Sequence, residues 1–286
     1  MKTMFAVLIF LCLAGSAAAR RITFGEALKA HQLEFSVKAV YNHGRPMQLS
    51  MQNTADEDLE VELEAGRIFY ADGTACQPFV VTRPAVVALQ RKERKVSWHH
   101  ARCGNSSAPA PAASVTFTRT AMGAPELVAT LNNMNELRIS SSSLYQAVVW
   151  HYTNQHAISA IHARDVSEPL LKAVVTDICQ REHKVPSWYF MEYAPPGSGH
   201  ELEFSGIPSR MGAKLELLLA RESDLQVQVR DEQGSIVRIV KVYLRQAPGA
   251  CTLPLDLDVK GWPNGNYRLC VVNQDQRALL EREFTI

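Results

Sequence analysis

The sequence predicts a mainly β protein with a helical insert: two antiparallel β-sandwiches flanking a short α-helical segment. Three observations carry this expectation. Apolar residues alternate with period two from Leu33 to Thr118 and again from Glu201 to Ile286. Between those stretches the apolar residues recur at helical spacing. The joins are marked by GNSSAPAPAAS (Gly104 to Ser114), a surface loop without period, and by Pro186 and Pro195-Pro196-Gly197.

The first element is not part of the fold. MKTMFAVLIFLCLAGSAAA has a lysine near its start, an apolar run from Met4 to Ala14 and an A-x-A exit at Ala17 and Ala19, the pattern of a secretory signal peptide over residues 1–19. The run is too short for a spanning helix, which needs about 20 residues. Later apolar runs are broken by charges, so no membrane span is expected after signal cleavage. Leu11 and Leu13 flank Cys12 where a lipid-attachment site takes small residues, which speaks against a lipoprotein. The expected location is the periplasm, the outer surface or the medium.

The chain of 286 residues is long enough for two or three modest domains. With Lys+Arg 30 against Asp+Glu 29, interspersed, there is no basic face to neutralise phosphates, so nucleic acid is not an expected partner.

Residues 20–120 form the first expected domain. Thr23-Phe24-Gly25-Glu26 with ALKAH reads as a short helix, and LEFSVKAVY, MQLSMQN, LEVELEAG, RIFYA, PFVVT, AVVALQ and KVSWHHA read as strands, with turns at Asn42-His43-Gly44 and Ala71-Asp72-Gly73. About seven strands over roughly 90 residues predict an Ig-like β-sandwich. Residues 121–196 form the helical segment: Pro125 to Leu137, Leu144 to His162 with Ser140 to Ser143 as its N-cap cluster, and Glu168 to Gln180. Residues 197–286 form the second Ig-like sandwich, from LEFSG, KLELLLA, DLQVQVRD, IVRIVKVYL, ACTLPLDL, YRLCVVN and LLEREFTI, with turns at Asp231 to Gly234 and Pro263 to Asn266.

The C-terminal run carries a resemblance. Val229-x-Asp231-x-x-Gly234 and Pro263-x-Gly265-x-Tyr267 are similar to the hairpin motifs of the flagellar hook-capping Ig-like domain and of the Por secretion-system C-terminal sorting domain. The resemblance covers about the last 80 residues and implies a small Ig-like domain of a bacterial exported protein. Asp231, Gly234, Gly265 and Tyr267 are then turn and packing residues.

A second resemblance carries chemistry. In Tyr145-Gln146-Ala147-Val148-Val149-Trp150, Gln146, Val149 and Trp150 fit Q-x-x-[IV]-W. With Cys103 at the end of a strand, the pattern resembles the thioester domains of bacterial surface adhesins. That resemblance implies an internal bond between Cys103 and Gln146: the thiolate attacks the amide carbonyl, ammonia leaves, and the stored acyl group captures an amine on a partner surface. Trp150, at i+4, would shield the bond from water, with His99 or His100 as proton carriers. The plainer alternative makes Gln146 a solvated helix residue, Val149 and Trp150 core, and Cys103 buried or bridged.

Disulfides compete for the same thiols in an exported chain: Cys251 with Cys270 in the second sandwich, and Cys76 with Cys103 in the first. Cys179 reads as a small buried hydrophobe. No metal and no cofactor are expected. His99 and His100 are consecutive on a strand and point to opposite faces, while His151, His156 and His162 are not spaced i, i+4. No G-x-S-x-G, Walker loop or H-E-x-x-H occurs. The functional expectation is therefore a non-enzymatic exported bacterial envelope or secreted protein for surface attachment or protein-protein contact, with a protein or cell-surface ligand. The covalent thioester is the alternative, and a cysteine hydrolase using Cys103 is a second alternative.

Overall fold

A computed structural model describes residues 19–42, 45–72, 76–196 and 204–286. The expected signal peptide therefore lies, but for Ala19, outside the described residues, as do His43, Gly44, Gly73 and Gly197 of the expected turns. The chain is mainly β, with several sheets and few helices. Among the described residues no helix is long and apolar enough to cross a membrane.

Two sheets share the first core. One is three-stranded, with β4 (Leu59–Leu63) between β1 (Arg20–Thr23) and β7 (Ala85–Leu89). The other is seven-stranded, in the order β8 (Arg94–His99), β3 (Arg45–Asn53), β2 (Leu33–Asn42), β10 (Thr116–Met122), β5 (Arg67–Ala71), β6 (Phe79–Val81) and β9 (Ala101–Cys103). The period-two reading is met residue by residue: Leu59, Val61 and Leu63 face Met47, Leu49 and Met51 across a fully buried core. Each such side chain contributes about 1.5–3 kcal/mol by leaving water. Phe24, Phe35 and Phe69 meet edge to face at 5.3–5.6 Å. Phe24 is set there by α1 (Phe24–Lys29), which begins where Thr23 and Glu26 form a capping box. Strand β1, which runs parallel to β4, was not foreseen because RRIT shows no alternation long enough to count.

The seven-stranded sheet is covered on its other face as well. Phe69, Phe79 and Val81 point into the sandwich, while Ile68 and Val80 point outward into a second core. That core is completed by Leu127, Leu131 and Met134 of α2 (Pro125–Glu136), Leu144 and Val148 of α3 (Ser142–Asn154), and Val174 and Ile178 of α4 (Glu168–Glu182). The helices thus form a layer on the first pair of sheets. The close approach is made at Gly66, whose φ of +83° and whose open Cβ position, 2.6 Å from Val128, exclude a side chain. The helix expected over Leu144 to His162 stops earlier: Gln155 takes a left-handed conformation, φ 57°, and a single 3₁₀ turn, Ile158–Ala160, follows.

The remaining strands form a second pair of sheets around their own core. One has the order β11 (Tyr189–Tyr193), β12 (Pro208–Leu219), β15 (Gly249–Asp258). The other has the order β14 (Ile236–Gln246), β13 (Ser223–Arg230), β16 (Asn266–Asn273), β17 (Ala278–Thr285). The run YFMEY, inside the stretch read as helical, is β11 and pairs with β12. The described part of LEFSG, Phe204 to Gly206, is not a strand. The turn at Asp231 to Gly234 closes as expected, with Gly234 at φ +82° and the Ser235 N–H donating to Asp231 Oδ1 at 2.8 Å.

The expected bridge between Cys251 and Cys270 does not form; both are thiols. The two residues lie in different sheets. Cys251 packs toward the core, whereas Cys270 alternates with the core residues Leu269 and Val271 and so points to the opposite face of its sheet. A disulfide needs Cβ vectors that converge, and these diverge. Cys179 is buried, as expected for a small hydrophobe.

Candidate functional site

Helix α3 contributes Leu144 and Val148 to the core under the helical layer and lines a groove shared with β11. Ser141 caps it, its Oγ accepting from the Leu144 N–H at 3.1 Å. Leu144, Tyr145, Val148 and Val149 are buried, and Gln146 and Trp150, one turn apart, sit on the neighbouring face. The structure brings Gln146 and Cys103 together across 43 positions: Gln146 Nε2 donates to the Cys103 carbonyl oxygen at 2.7 Å, and the Cys103 N–H donates to Gln146 Oε1 at 3.2 Å. The physical reason is plain. Among the described residues strand β9 is the terminal strand of its sheet, so its outer N–H and C=O face the Gln146 amide rather than another of these strands. A primary amide carries a donor and an acceptor side by side and stands in for the missing peptide group. The Cys103 side chain belongs to the core between the sheets, and Cys76 packs against that same core.

Gln146 and Trp150 line a groove of about 570 Å³ between α3 and β11. Its wall is aromatic. Phe204 lies 5.4 Å from Trp150, 4.4 Å from His156 and 4.8 Å from Tyr193, centroid to centroid. Ring spacings of this size suit offset and edge contacts. Ser106 Oγ lies 2.9 Å from His156 Nε2, and the Ser106 N–H donates to Asn154 Oδ1 at 3.0 Å, which ties the Gly104 to Ser114 loop to the end of α3. Burial, reinforced by the nearby His151, holds His156 below the ordinary histidine range, so it is neutral near pH 7. Burial also pushes the Tyr193 phenol up. The indole Nε1 of Trp150 is buried and finds no acceptor among the described residues.

The polar side of the groove is organised by Glu192 on β11. Arg164 grips its carboxylate with two donors, His162 Nε2 lies at 3.3 Å and Arg210 at 3.7 Å, and Arg210 also pairs with Asp256 at 2.5 Å. The Arg164 hydrogen bonds hold the Glu192 carboxyl below the usual range, against burial, with the charges of Arg164 and Arg210 adding to the effect. His162 is depressed by burial and stacks on Phe190 at 3.8 Å and 3°. These contacts join the segment after α3 to the second pair of sheets, so the groove lies over a held seam.

The histidines of the helical stretch go separate ways. His151 Nε2 lies 2.9 Å from Glu182, its Nδ1 lies 2.6 Å from the His156 carbonyl oxygen, and His156 and His162 face the groove. His99 is buried, with Ser97 Oγ 2.7 Å from its Nε2. Among the described residues no three His, Cys, Asp or Glu side chains converge as metal ligands. Sequence reasoning singled out Gln146 and Trp150 but not Tyr193, Phe204, His156, His162 or Glu192 as parts of one site. Tyr193 comes from a strand in the stretch expected to close the helical segment after Pro186, and Phe204 from a connection expected to be a strand, and no spacing rule links them to α3.

No family model matches the chain, nor does any curated protein. Among solved structures the chain is similar to two structures of the β-glucosidase of Kluyveromyces marxianus, one selenomethionine-labelled and one in complex with glucose. The identities are 11% and 10%, and the TM-score is 0.23 for both. The match covers 84% and 88% of this chain but 44% and 47% of those chains, so the chain spans less than half the length of either. Likeness at that level carries no argument about fold or activity.

Proposed function

We propose that this is a non-enzymatic, exported bacterial binding protein, acting in surface attachment or protein-protein contact, built from two Ig-like sandwiches with a helical layer. The observation that carries this reading is the open groove of about 570 Å³ walled by Trp150, His156, Tyr193 and Phe204. Aromatic side chains supply large contact area at low entropy cost and recur as binding anchors. The test is capture of cell-envelope protein on the immobilised mature chain, comparing wild type with Trp150→Ala and Tyr193→Ala. One retained species, lost with both variants, supports the reading. Equal recovery by all three, or a hydrolase activity abolished by Cys103→Ala, overturns it.

A second reading is favoured by one specific observation, the contact of the Gln146 side-chain amide with the Cys103 backbone, although the Cys103 side chain itself lies in the core. In it the Cys103 thiolate attacks the Gln146 side-chain carbonyl carbon, the C–S bond forms and ammonia leaves. A partner amine then displaces the thiol to give an amide. Gln146 lines the groove from which such an amine would come, while Cys103 does not. Intact mass decides it: a thioester lacks one ammonia and takes up methylamine.

A further inference from the structure

Two arginines, Arg83 and Arg102, line one cleft of about 350 Å³, and among the described residues no acid lines it with them. Arg102 lies on β9 opposite Val80, whose side chain joins the core under the helices, so Arg102 takes the same side of the sheet. The Thr82 N–H donates to the His100 carbonyl oxygen at 3.0 Å, which keeps the chain that leads from β6 to Arg83 beside the start of β9.

Main-chain carbonyls fix both guanidinium groups in place. Arg83 Nη2 donates to the Ile139 carbonyl oxygen at 3.0 Å, and its guanidinium lies over the Tyr145 ring, 5.6 Å from the centroid. Arg102 Nε donates to the Ser142 carbonyl oxygen at 3.1 Å and Nη1 to that of Ala101 at 3.2 Å. A carbonyl positions an arginine without neutralising it, and each guanidinium has five N–H donors. Tyr145 supplies no negative charge, because burial pushes its phenol up and its hydroxyl donates to Asn135 Oδ1 at 2.9 Å. Ser140 and Ser142 bring the start of α3, the positive end of its dipole, to the cleft. Asp165, the carboxylate bound at this helix start, accepts from Ser141 and Ser143 Oγ at 2.8 and 3.2 Å and lines the groove, not this cleft.

We propose that this cleft binds a small tetrahedral oxyanion, a phosphate or sulfate group, between Arg83 and Arg102 at the start of α3. Two permanent positive charges without an acid in the lining call for an anion, and the forked guanidinium donors match its oxygens. The hydroxyls of Thr82, Ser140 and Ser142 add donors beyond those that the two oxygens of a carboxylate would use. Over the whole chain acids and bases nearly balance, so the excess is local and suits one anionic group rather than a polyanion. The volume lies at the lower end of the range for small-molecule sites, which leaves room for a sugar-sized substituent on the anion. The cleft and the aromatic groove share no lining residue, so this site does not rest on the binding role of the groove.

The test is an NMR titration of the isotope-labelled mature protein with inorganic phosphate, sulfate and glucose 6-phosphate, at a constant ionic strength of about 0.15 M set with sodium chloride. The amide resonances of Arg102 and Ser142 should shift and saturate with a Kd of about 1 mM or tighter. Arg83→Gln should weaken binding at least about tenfold, the loss of one charge-assisted fork. Arg238→Gln, which removes the same charge from the exposed strand β14, should leave binding unchanged. Ser142→Glu keeps both arginines and sets a carboxylate at the exposed first position of α3, where an acid suits the helix. That variant should melt no lower than wild type and yet lose phosphate binding, which separates loss of the site from loss of the fold. Tighter binding of glucose 6-phosphate than of phosphate identifies a phosphate ester as the ligand, and equal binding identifies the free ion. Resonances that do not saturate by about 10 mM overturn the inference. So does an affinity that Arg83→Gln or Ser142→Glu leaves unchanged.

Discussion

Replacing Gln146 with alanine tests whether its amide serves as the missing strand of β9. The substitution removes two part-buried hydrogen bonds, 2.7 Å to the Cys103 carbonyl and 3.2 Å from the Cys103 N–H. A net hydrogen bond is worth roughly 1 kcal/mol, and a group left unmet inside a protein adds to the loss, so the expected destabilisation is about 2 kcal/mol. The direct assay is native-state hydrogen exchange at the Cys103 amide, which should speed by about 30-fold for that loss. The transition of the first pair of sheets should fall by about 5 °C in calorimetry. Gln146→Glu keeps an acceptor for the N–H but sets an oxygen against the carbonyl, so it should protect the Cys103 amide without restoring stability. Unchanged exchange at Cys103, with stability within about 0.5 kcal/mol of wild type, would refute the strand-mimic reasoning.

Three further outcomes follow from the packing and the charges. Glu192→Gln should loosen the seam, read as faster exchange in β11; because the Glu192 pKa is lowered in the fold, its contribution is full above the ordinary carboxylate value of about 4.3 and is lost as pH falls through the folded value. The melting-temperature gap between wild type and Glu192→Gln should therefore shrink as pH drops from neutral through the acid range, and a gap that widens would contradict the assignment. Phe69→Ala empties a fully buried site in a three-ring cluster and should lower the stability of the first pair of sheets by about 3–5 kcal/mol in urea titration. Gly66→Ala meets both a positive φ and the Val128 side chain, so it should destabilise by more than the roughly 1 kcal/mol of conformational penalty alone, and Val128→Ala should relieve part of that.

Much of the fold was legible because its strands are half buried. Met47, Leu49, Met51 and Leu59, Val61, Leu63 alternate in the sequence as they do in the core, and the capping box at Thr23 and Glu26 announces α1. Strands β5 and β6 were legible for a different reason. Strand β6, FVV, is buried on both faces between the sandwich and the helices and reads as a continuous apolar run, and β5 shares that burial at Ile68 and Phe69. What periodicity does not encode is partnership. Nothing local says that the helices cover the first sheet, that YFMEY belongs to the second pair of sheets, or that Cys270 faces away from Cys251. The site divides in the same way. Gln146 and Trp150 stand out because one helix places them a turn apart. Tyr193, Phe204 and Glu192 reach the groove through tertiary packing and leave no spacing to detect.

Cys103 and Gln146 bear on every functional reading of the chain, and intact mass of the purified mature protein, with and without methylamine, examines them together. A mass with no ammonia missing and no methylamine uptake is expected if Gln146 serves as the cap of an edge strand beside a non-covalent binding groove. A deficit of one ammonia, converted to a methylamine adduct and absent in Cys103→Ala, would contradict that claim and establish covalent capture in its place.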